Sequence, residues 1–227
     1  MTAATATAAT DSAAETTETT ETADVHESAA TPTATPDPLR VAVIIGSTRT
    51  GRFAPTVTDW FVTRAAESHP GLDLDVVDLA ETDLPLTMTD FGQPRPEPVA
   101  ALAPRLAGAD AFVIVTPEYN HSFPAVLKSA IDWYHSEWSR KPVAFVSYGG
   151  VSGGLRAVQQ LRHVFIELSA VPIRDTISFT EYWNQFAEDQ SWPRPSEARD
   201  KALQSLLDQL TWTATTLRAG RRQTAAG

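Results

Sequence analysis

The chain contains no cysteine among its 227 residues. This absence excludes disulfide bonds, thiol nucleophiles and thiolate metal ligands from any account of its function. Long apolar runs are also missing: no stretch of about 18 apolar residues occurs, so neither a membrane-spanning helix nor a membrane partner is predicted. No spacing of histidines and carboxylates indicates a metal site. Together these absences favour a cytoplasmic location.

The first 38 residues contain no lysine or arginine, although they carry seven of the 28 acidic residues. They are mainly Ala, Thr, Ser, Glu and Pro, so they cannot bury enough apolar surface to offset the entropy lost on ordering. Without a basic start or an apolar run they are not a secretory signal. We predict a disordered acidic tail over residues 1–38, a globular domain over 39–219 and a flexible end over 220–227. The part from residue 39 onward has a net charge of only −3, which argues against a nucleic-acid partner.

The most informative stretch is residues 39–53, which read L-R-V-A-V-I-I-G-S-T-R-T-G-R-F. Leu39–Ile45 is a β-branched apolar run, typical of a strand buried on both faces of a parallel sheet. The loop that follows offers hydroxyls, two arginines and two glycines, and an amphipathic helix begins directly after it. The free N–H groups at a helix start attract anions, so strand, loop and helix together predict a phosphate site.

Several interpretations of this loop compete. An NTPase P-loop shares the spacing of Gly46 and Gly51, but it requires Lys and then Ser or Thr where this chain has Arg52 and Phe53. A dinucleotide-binding loop requires G-x-G-x-x-G, which is absent. The phosphate loop of a mononucleotide requires hydroxyls, amides and an arginine but no metal, and it fits best. The loop alone is equally compatible with an ordinary strand-to-helix turn.

Four further apolar runs predict strands over residues 72–79, 109–116, 142–147 and 171–179. Apolar residues at helical spacing predict helices between the strands and a last helix after them. The first of these helices should end at Gly71, and the second, over residues 97–107, should be kinked or ended by Pro104. Strands alternating with helices predict an α/β fold with a parallel, doubly wound sheet. Ligands in such sheets bind beyond the carboxyl ends of the strands, where the loops after strands one, three and four all lie.

The loops after the third and fourth strands carry residues that suit a flat ring. Tyr119 and Tyr148 offer aromatic faces, and Asn120 offers a donor and an acceptor for ring edges. Gly149 and Gly150 allow a ring to approach the backbone because they have no Cβ. Taken alone, each tyrosine is better explained by core packing at a strand end. It is the agreement of three loops at one edge that favours a site for a phosphate joined to a planar heterocycle.

Three motifs carry a resemblance to a known family: G-S-T-R-T-G-R-F, P-E-Y-N-H-S-F-P-A-V-L-K-S-A-I-D-W and F-V-S-Y-G-G-V-S-G-G-L-R-A-V. In type, order and spacing they resemble the NADPH-dependent FMN reductase family over residues 39–179. The resemblance implies a flavodoxin-like fold with a five-stranded parallel sheet of order 2-1-3-4-5. It also implies that the FMN phosphate binds the first loop and the isoalloxazine ring the other two. The cofactor-binding residues it implies are Ser47, Arg49, Arg52, Phe53, Pro117, Glu118, Tyr119, Asn120, Ser147, Tyr148, Gly149 and Gly150.

The activity implied is ping-pong hydride transfer from NADPH through FMN to a small acceptor, which is free flavin, a quinone, an azo compound or chromate. Because the flavin supplies the chemistry, no catalytic side chain is predicted. Glu118 is a candidate general acid or base, but a carboxylate on a loop is more often solvated or caps the following helix. The alternative is a flavodoxin-type electron carrier or a non-catalytic FMN-binding regulator. Arg49 disfavours this alternative, since the phosphate loop of flavodoxins usually lacks arginine.

Three aromatic residues, Trp133, Tyr134 and Trp138, crowd the end of the third helix. One helix would not normally leave so much aromatic surface in water, and aromatic residues are enriched in interfaces. With the dimeric state implied by the resemblance, this predicts a homodimer or homotetramer whose subunits border the flavin. The competing interpretation is that two of these three rings pack against the fourth helix within one subunit.

Overall fold

The computed structural model describes residues 37–90, 92–186 and 193–225, so residues 1–36 of the tail predicted over residues 1–38 lie outside these ranges. Within them, strands and helices alternate. The strands are β1 (Leu39–Ile45), β2 (Leu72–Asp78), β3 (Ala111–Pro117), β4 (Pro142–Gly149) and β5 (Val171–Thr180). The helices are α1 (Ala54–Ser68), α2 (Glu97–Gly108), α3 (Ala125–Asp132), α4 (Leu155–Glu167) and α5 (Glu197–Ala225), and a 3-10 turn, Tyr182–Asn184, follows β5. No helix in the described part of the chain has both the length and the apolar character needed to cross a membrane.

All neighbouring strands are parallel, and the sheet has the order β2-β1-β3-β4-β5. In the register of the sheet, Ile45 at the end of β1 lies opposite Asp78 of β2 and Val115 of β3. The carboxyl ends of the strands therefore lie along one edge, and the loops that follow them meet there. This confirms the predicted doubly wound fold and its strand order.

The sheet separates two apolar layers. Val43 and Ile45 of β1 pack with α1 and α5, whereas Ala42 and Ile44 pack with α2, α3 and α4. Every residue of β3 and β4 is buried. The continuous apolar runs in the sequence arise because helices cover both faces of these central strands.

Two helix ends differ from the predictions, although each strand ends within two residues of its predicted bounds. Helix α1 ends at Ser68 rather than at Gly71. Helix α2 is not ended by Pro104, which lies inside it, and continues to Gly108. Proline cannot donate a hydrogen bond to the carbonyl four residues earlier, that of Ala100. Ala100 and Pro104 are both exposed, so water can satisfy this carbonyl and the helix tolerates the proline.

Helix α5 is anchored at the amino end of the sheet, opposite the edge where the loops meet. The Asp110 carboxylate, just before β3, pairs with Arg218 at 3.2 Å and Arg221 at 2.9 Å. Arg221 also donates to the carbonyl of Arg140, just before β4. These contacts hold the last turns of α5 in place, and the helix continues to Ala225, beyond the boundary predicted at residue 219.

The aromatic residues behind the oligomer prediction are buried within the subunit, which overturns that argument. Trp133, Tyr134 and Trp138 are 6%, 1% and 1% exposed. Trp133 Nε1 donates to the carbonyl of Pro85 at 2.8 Å, and the Tyr134 hydroxyl donates to the carbonyl of Val99 at 3.1 Å. Pro85 lies in the connection between β2 and α2, and Val99 lies in the first turn of α2, so the subunit itself covers the rings.

Candidate functional site

A cavity of about 330 Å³ lies at the carboxyl edge of the sheet, where the sequence predicts a site. Four segments line it: the loops after β1, β3 and β4, and the turn after β5. Nine of the predicted residues take part, namely Arg49, Arg52, Phe53, Pro117, Glu118, Tyr119, Tyr148, Gly149 and Gly150. The predicted residues Ser47, Asn120 and Ser147 do not line the cavity, whereas Thr50, Gly51, Tyr182 and Trp183, which were not predicted, do.

The loop after β1 offers hydrogen-bond donors for an anion. Among the described residues, the backbone amides of Thr48, Arg49, Thr50, Gly51 and Phe53 have no hydrogen-bond acceptor. The side chain of Arg49 is exposed and has no ion-pair or hydrogen-bond partner within the same described ranges. A guanidinium and several amides at the start of α1 form the donor set that phosphate oxygens require.

Arg52, the second arginine of this loop, is already paired. Its guanidinium binds both carboxylate oxygens of Asp78 at the end of β2, and it donates to the carbonyl of Ser47 at 2.7 Å. The hydrogen bond with Asp78 raises the pKa of Arg52 despite the opposing effect of burial. Burial alone would raise the pKa of Asp78, but hydrogen bonds from Arg52 and the amide of Ala80 lower it. The guanidinium of Arg52 is therefore a brace across the loop, and the predicted contact of the cofactor with the backbone near Arg52, which lines the cavity, stays a prediction.

Ser47 also has a different role from the predicted one. Its side chain is fully buried, and its hydroxyl lies 2.9 Å from the hydroxyl of Tyr119. This hydrogen bond joins the loops after β1 and β3 behind the cavity wall. The prediction that Ser47 contacts the ligand directly is not supported, because its one hydroxyl faces Tyr119.

The loop after β3 is a tight reverse turn. The amide of Tyr119 donates to the carbonyl of Ser122 at 2.8 Å, and the amide of Ser122 donates to the carbonyl of Tyr119 at 2.9 Å. The two residues between them, Asn120 and His121, have φ values of 49° and 68°, which strains a non-glycine backbone. Gln160 of α4 holds the turn by donating to the carbonyl of His121. Asn120 is therefore exposed at the tip of the turn rather than at the cavity.

Glu118 joins the loop after β3 to the start of α4. Its carboxylate accepts hydrogen bonds from the hydroxyl of Ser152 at 2.5 Å, from the amide of Arg156 at 3.1 Å and from the Arg156 guanidinium at 2.9 Å. Burial alone would raise the pKa of Glu118, but these hydrogen bonds outweigh it and lower the pKa. The carboxylate thus caps the start of α4, whereas the sequence predicts a solvated carboxylate or a cap on the following helix, α3.

The glycine loop after β4 presents a flat backbone to the cavity. A Cβ on Gly149 would lie 3.1 Å from the amide nitrogen of Gly154, so a side chain there would crowd the loop. Ser147 lies behind this wall, because its buried hydroxyl donates to the carbonyl of Gly153 at 2.8 Å. The side chain of Ser147 thus fixes the glycine loop, and its predicted contact with the ligand stays a prediction. The resulting surface suits a planar ring lying against backbone atoms.

An aromatic cluster closes the remaining side of the cavity. The ring of Tyr182 lies 4.8 Å from that of Phe53 and 5.3 Å from that of Tyr148, and Trp183 lies 5.3 Å from Tyr182. Burial, aided by the neighbouring Tyr119, raises the pKa of Tyr148, so its phenol stays protonated at neutral pH. The sequence signal for this wall was available: Tyr182 and Trp183 directly follow a strand, at the edge where ligands bind.

A larger cavity, of about 520 Å³, lies at the amino end of the sheet. Its basic side chains include Arg218 and Arg221, which are paired with Asp110, and Arg222, which is paired with Asp37. Because these cations already have partners, the smaller cavity is the better candidate for an anionic ligand. Its free amides, exposed Arg49 and flat glycine backbone fit a planar heterocycle that carries a phosphate.

All the residues that line the cavity fall within the part of the chain that one of the comparisons with known proteins matches. A family model described as NADPH-dependent FMN reductase matches residues 39–184. An NAD(P)H-dependent FMN reductase of Schizosaccharomyces pombe is 41% identical over 143 residues, which are 59% of this chain and 70% of that protein. An NADPH:quinone oxidoreductase of Arabidopsis thaliana is 34% identical over 60% of this chain and 72% of that protein. Among solved structures, FerB, a flavoenzyme NAD(P)H:(acceptor) oxidoreductase from Paracoccus denitrificans, has a TM-score of 0.64 at 25% identity, over 77% of this chain and 98% of that one.

Proposed function

Because this chain belongs to the NADPH-dependent FMN reductase family, we propose that it passes a hydride from NADPH through bound FMN to a small acceptor by a ping-pong mechanism. It is an oxidoreductase, and its cofactors are FMN and NADPH. The acceptor classes are free flavin, quinones, azo compounds and chromate. The Arabidopsis relative, named a quinone oxidoreductase, favours a quinone.

The observation that carries the proposal is the cavity at the carboxyl edge, where free donors lie beside a flat backbone. We assign the FMN phosphate to Arg49 and to the free amides of the loop after β1. We assign the ring to the backbone of Pro117, Gly149 and Gly150, and the phenol of Tyr148, which lines the same cavity, would be a neutral group there. When bound, FMN supplies the two-electron chemistry, and the protein binds, orients and shields it.

No side chain of the cavity is assigned as a catalytic acid or base. Glu118 is the one carboxylate among the cavity-lining residues, and it is held by Ser152 and Arg156 in its ionised form. The hydroxyl of Tyr119 forms a hydrogen bond with the hydroxyl of Ser47. These groups fix the loops in place, which agrees with a reaction whose bond changes occur on the cofactor and substrates.

The experiment that tests the function has two steps. The apoprotein is titrated with FMN and with riboflavin, and NADPH oxidation is then followed with a quinone, an azo dye, chromate and free flavin in turn. We expect tight FMN binding, turnover with at least one acceptor, and parallel lines in double-reciprocal plots. FMN binding without turnover of any acceptor would favour the electron carrier or regulator, and absence of FMN binding would overturn both.

The ion pair between Arg52 and Asp78 gives a prediction about the phosphate loop. Arg52→Ala is expected to weaken FMN binding about fivefold to tenfold, because the loop loses a charge-assisted brace worth roughly 1 to 1.5 kcal/mol. Asp78→Asn should have a similar effect, and the double variant should be no weaker than either single one. Fluorescence titration with FMN and riboflavin measures this, and riboflavin binding should change little.

The same variants distinguish a brace from a direct phosphate ligand. If Arg52 binds phosphate itself, Asp78→Asn should release it and strengthen FMN binding. Arg64, which pairs with Asp200 on the protein surface, provides the matched control, and Arg64→Ala should leave FMN binding unchanged. Tighter FMN binding in Asp78→Asn would contradict the prediction.

The oligomeric state is a separate prediction. We retain a homodimer or homotetramer with subunits that border the site, now supported by exposed apolar side chains near the cavity: Val151 is 82% exposed and Leu155 is 44% exposed. Light scattering over a dilution series, with activity measured at each concentration, tests this. A fully active species of monomer mass would contradict it.

A further inference from the structure

Trp183 stands out among the aromatic residues of the cavity because most of its side chain is exposed. It is 58% exposed, whereas Phe53 and Tyr148, in the same cluster, are 7% and 4% exposed. A large apolar ring that remains in contact with water beside a binding cavity is a common feature of ligand sites. Trp183 is therefore the aromatic group of this cavity with the most surface available to a ligand.

The position of Trp183 is fixed by the backbone around it. The amide of Glu181 donates to the carbonyl of Gly150 at 2.9 Å, which ties the turn after β5 to the glycine loop. Glu181 has a left-handed backbone with φ of 46°, and the amide of Asn184 donates to the carbonyl of Glu181 at 2.8 Å. The outer edge of the indole, at Cη2, lies 3.7 Å from the position that a Cβ on Gly150 would occupy. The indole thus stands directly beside the backbone assigned to the flavin ring.

Trp183 contributes little to the core of the subunit. Its neighbour Tyr182 packs against Phe53 and Tyr148, and these rings continue into the apolar layer that contains α1 and α5. Trp183 itself contacts this cluster through Tyr182, and the two rings are 70° from parallel. Removal of the indole should therefore leave the fold intact, so its exposed ring is available for a role in binding.

Building on the proposed function, we propose that Trp183 determines specificity by providing an aromatic wall against which the planar ring of the second substrate stacks. The ring chemistry it recognises is flat and π-rich, as in a quinone acceptor or a nicotinamide. Offset or edge contacts between aromatic rings add to the affinity gained from burial alone. A non-planar acceptor cannot form these contacts, so the wall makes the enzyme prefer planar acceptors.

The test compares Trp183→Ala and Trp183→Phe with the wild type, all loaded with FMN. We expect Trp183→Ala to raise the KM for menadione about tenfold with little change in kcat. Trp183→Phe keeps an aromatic ring, so its KM for menadione should stay close to that of the wild type. The KM for ferricyanide, which is not planar, should stay within twofold. The KM for NADPH distinguishes the two sources of the ring: a parallel rise shows that nicotinamide uses the same wall, and an unchanged value limits the wall to the acceptor.

Two readouts without turnover complete the test. The dissociation constant of FMN, from fluorescence titration, should change less than twofold in Trp183→Ala, and light scattering should give the same mass as the wild type. Trp212, which is 71% exposed on α5, provides the control, and Trp212→Ala should match the wild type throughout. The inference is overturned if menadione and ferricyanide are affected equally, if FMN binding or mass changes with the KM, or if no KM changes. Wild-type protein that binds FMN but turns over no acceptor at all would refute the proposed function, an outcome distinct from turnover in which Trp183→Ala leaves every KM unchanged, which refutes this inference alone.

Discussion

Replacement of Arg49 with alanine is expected to weaken FMN binding about 30-fold. Arg49 is exposed at the edge of the cavity, and the described residues offer it no carboxylate or carbonyl partner. Its guanidinium is free to bind the phosphate, and a hydrogen bond to a charged group contributes about 1.5 to 3 kcal/mol. Titration of the apoprotein with FMN, followed by flavin fluorescence, measures the loss.

Riboflavin and a second arginine provide the controls for Arg49. Riboflavin lacks the phosphate, so Arg49→Ala should bind it as well as the wild type does. Arg174 is 90% exposed in its side chain and lies on β5, outside the cavity, so Arg174→Ala should not change FMN binding. Thermal melts of the flavin-free variants should coincide with that of the wild type. If Arg49→Ala lost equal affinity for FMN and riboflavin, or melted at a lower temperature than the wild type without flavin, the assignment of the phosphate to Arg49 would be refuted.

Replacement of Asp110 with alanine is expected to lower the free energy of unfolding by about 3 kcal/mol, because it leaves two largely buried positive charges without their carboxylate partner. The Asp110 and Arg218 side chains are each 13% exposed, and that of Arg221 is 21% exposed. The carboxylate of Asp110 also accepts a hydrogen bond from the backbone amide of Arg40 at 3.3 Å. Removal of the carboxylate therefore affects β1 as well as α5. Urea unfolding followed by circular dichroism measures the change.

A nearby ion pair provides the matched control for Asp110. Asp73 pairs with Arg40 at the same end of the sheet, at 3.4 Å, but both side chains are at least half exposed. Asp73→Ala should therefore lower the free energy of unfolding by less than about 1 kcal/mol, because exposed ion pairs usually contribute little to stability. If the two variants lose equal stability, the anchor of α5 does not depend on the burial of Asp110.

The parts of the fold that the sequence predicted best are those governed by burial. The runs in β1, β3 and β4 are continuous because both faces of these strands are covered, and the order of strands and helices then permits few topologies. Helix ends were predicted less well, since they depend on surroundings that local rules omit. Pro104 illustrates this: its effect on α2 depends on whether the carbonyl of Ala100 can reach water. Likewise, the sequence around Trp133 does not reveal that the carbonyl of Pro85 accepts a hydrogen bond from the indole N–H of Trp133.

The candidate site was predicted at the level of loops but not of side chains. The motifs correctly place three loops at one edge, because parallel strands must end there. They do not show that Ser47 faces Tyr119, that Ser147 faces Gly153, or that Arg52 is paired with Asp78. Each of these partners is distant in sequence or lies behind the loop, and a hydroxyl or guanidinium suits a protein partner as well as a ligand. Which partner is chosen depends on the folded geometry.

The anchor of α5 also determines how the protein can be mounted on a surface. The last turns of α5 lie beside Asp110 and Arg140, at the amino ends of β3 and β4, whereas the cavity lies beyond their carboxyl ends. Because the chain has no cysteine, Gln223→Cys would introduce a single thiol on the exposed side of this helix end. Coupled through that thiol to a gold electrode, every molecule would present its cavity to the solution.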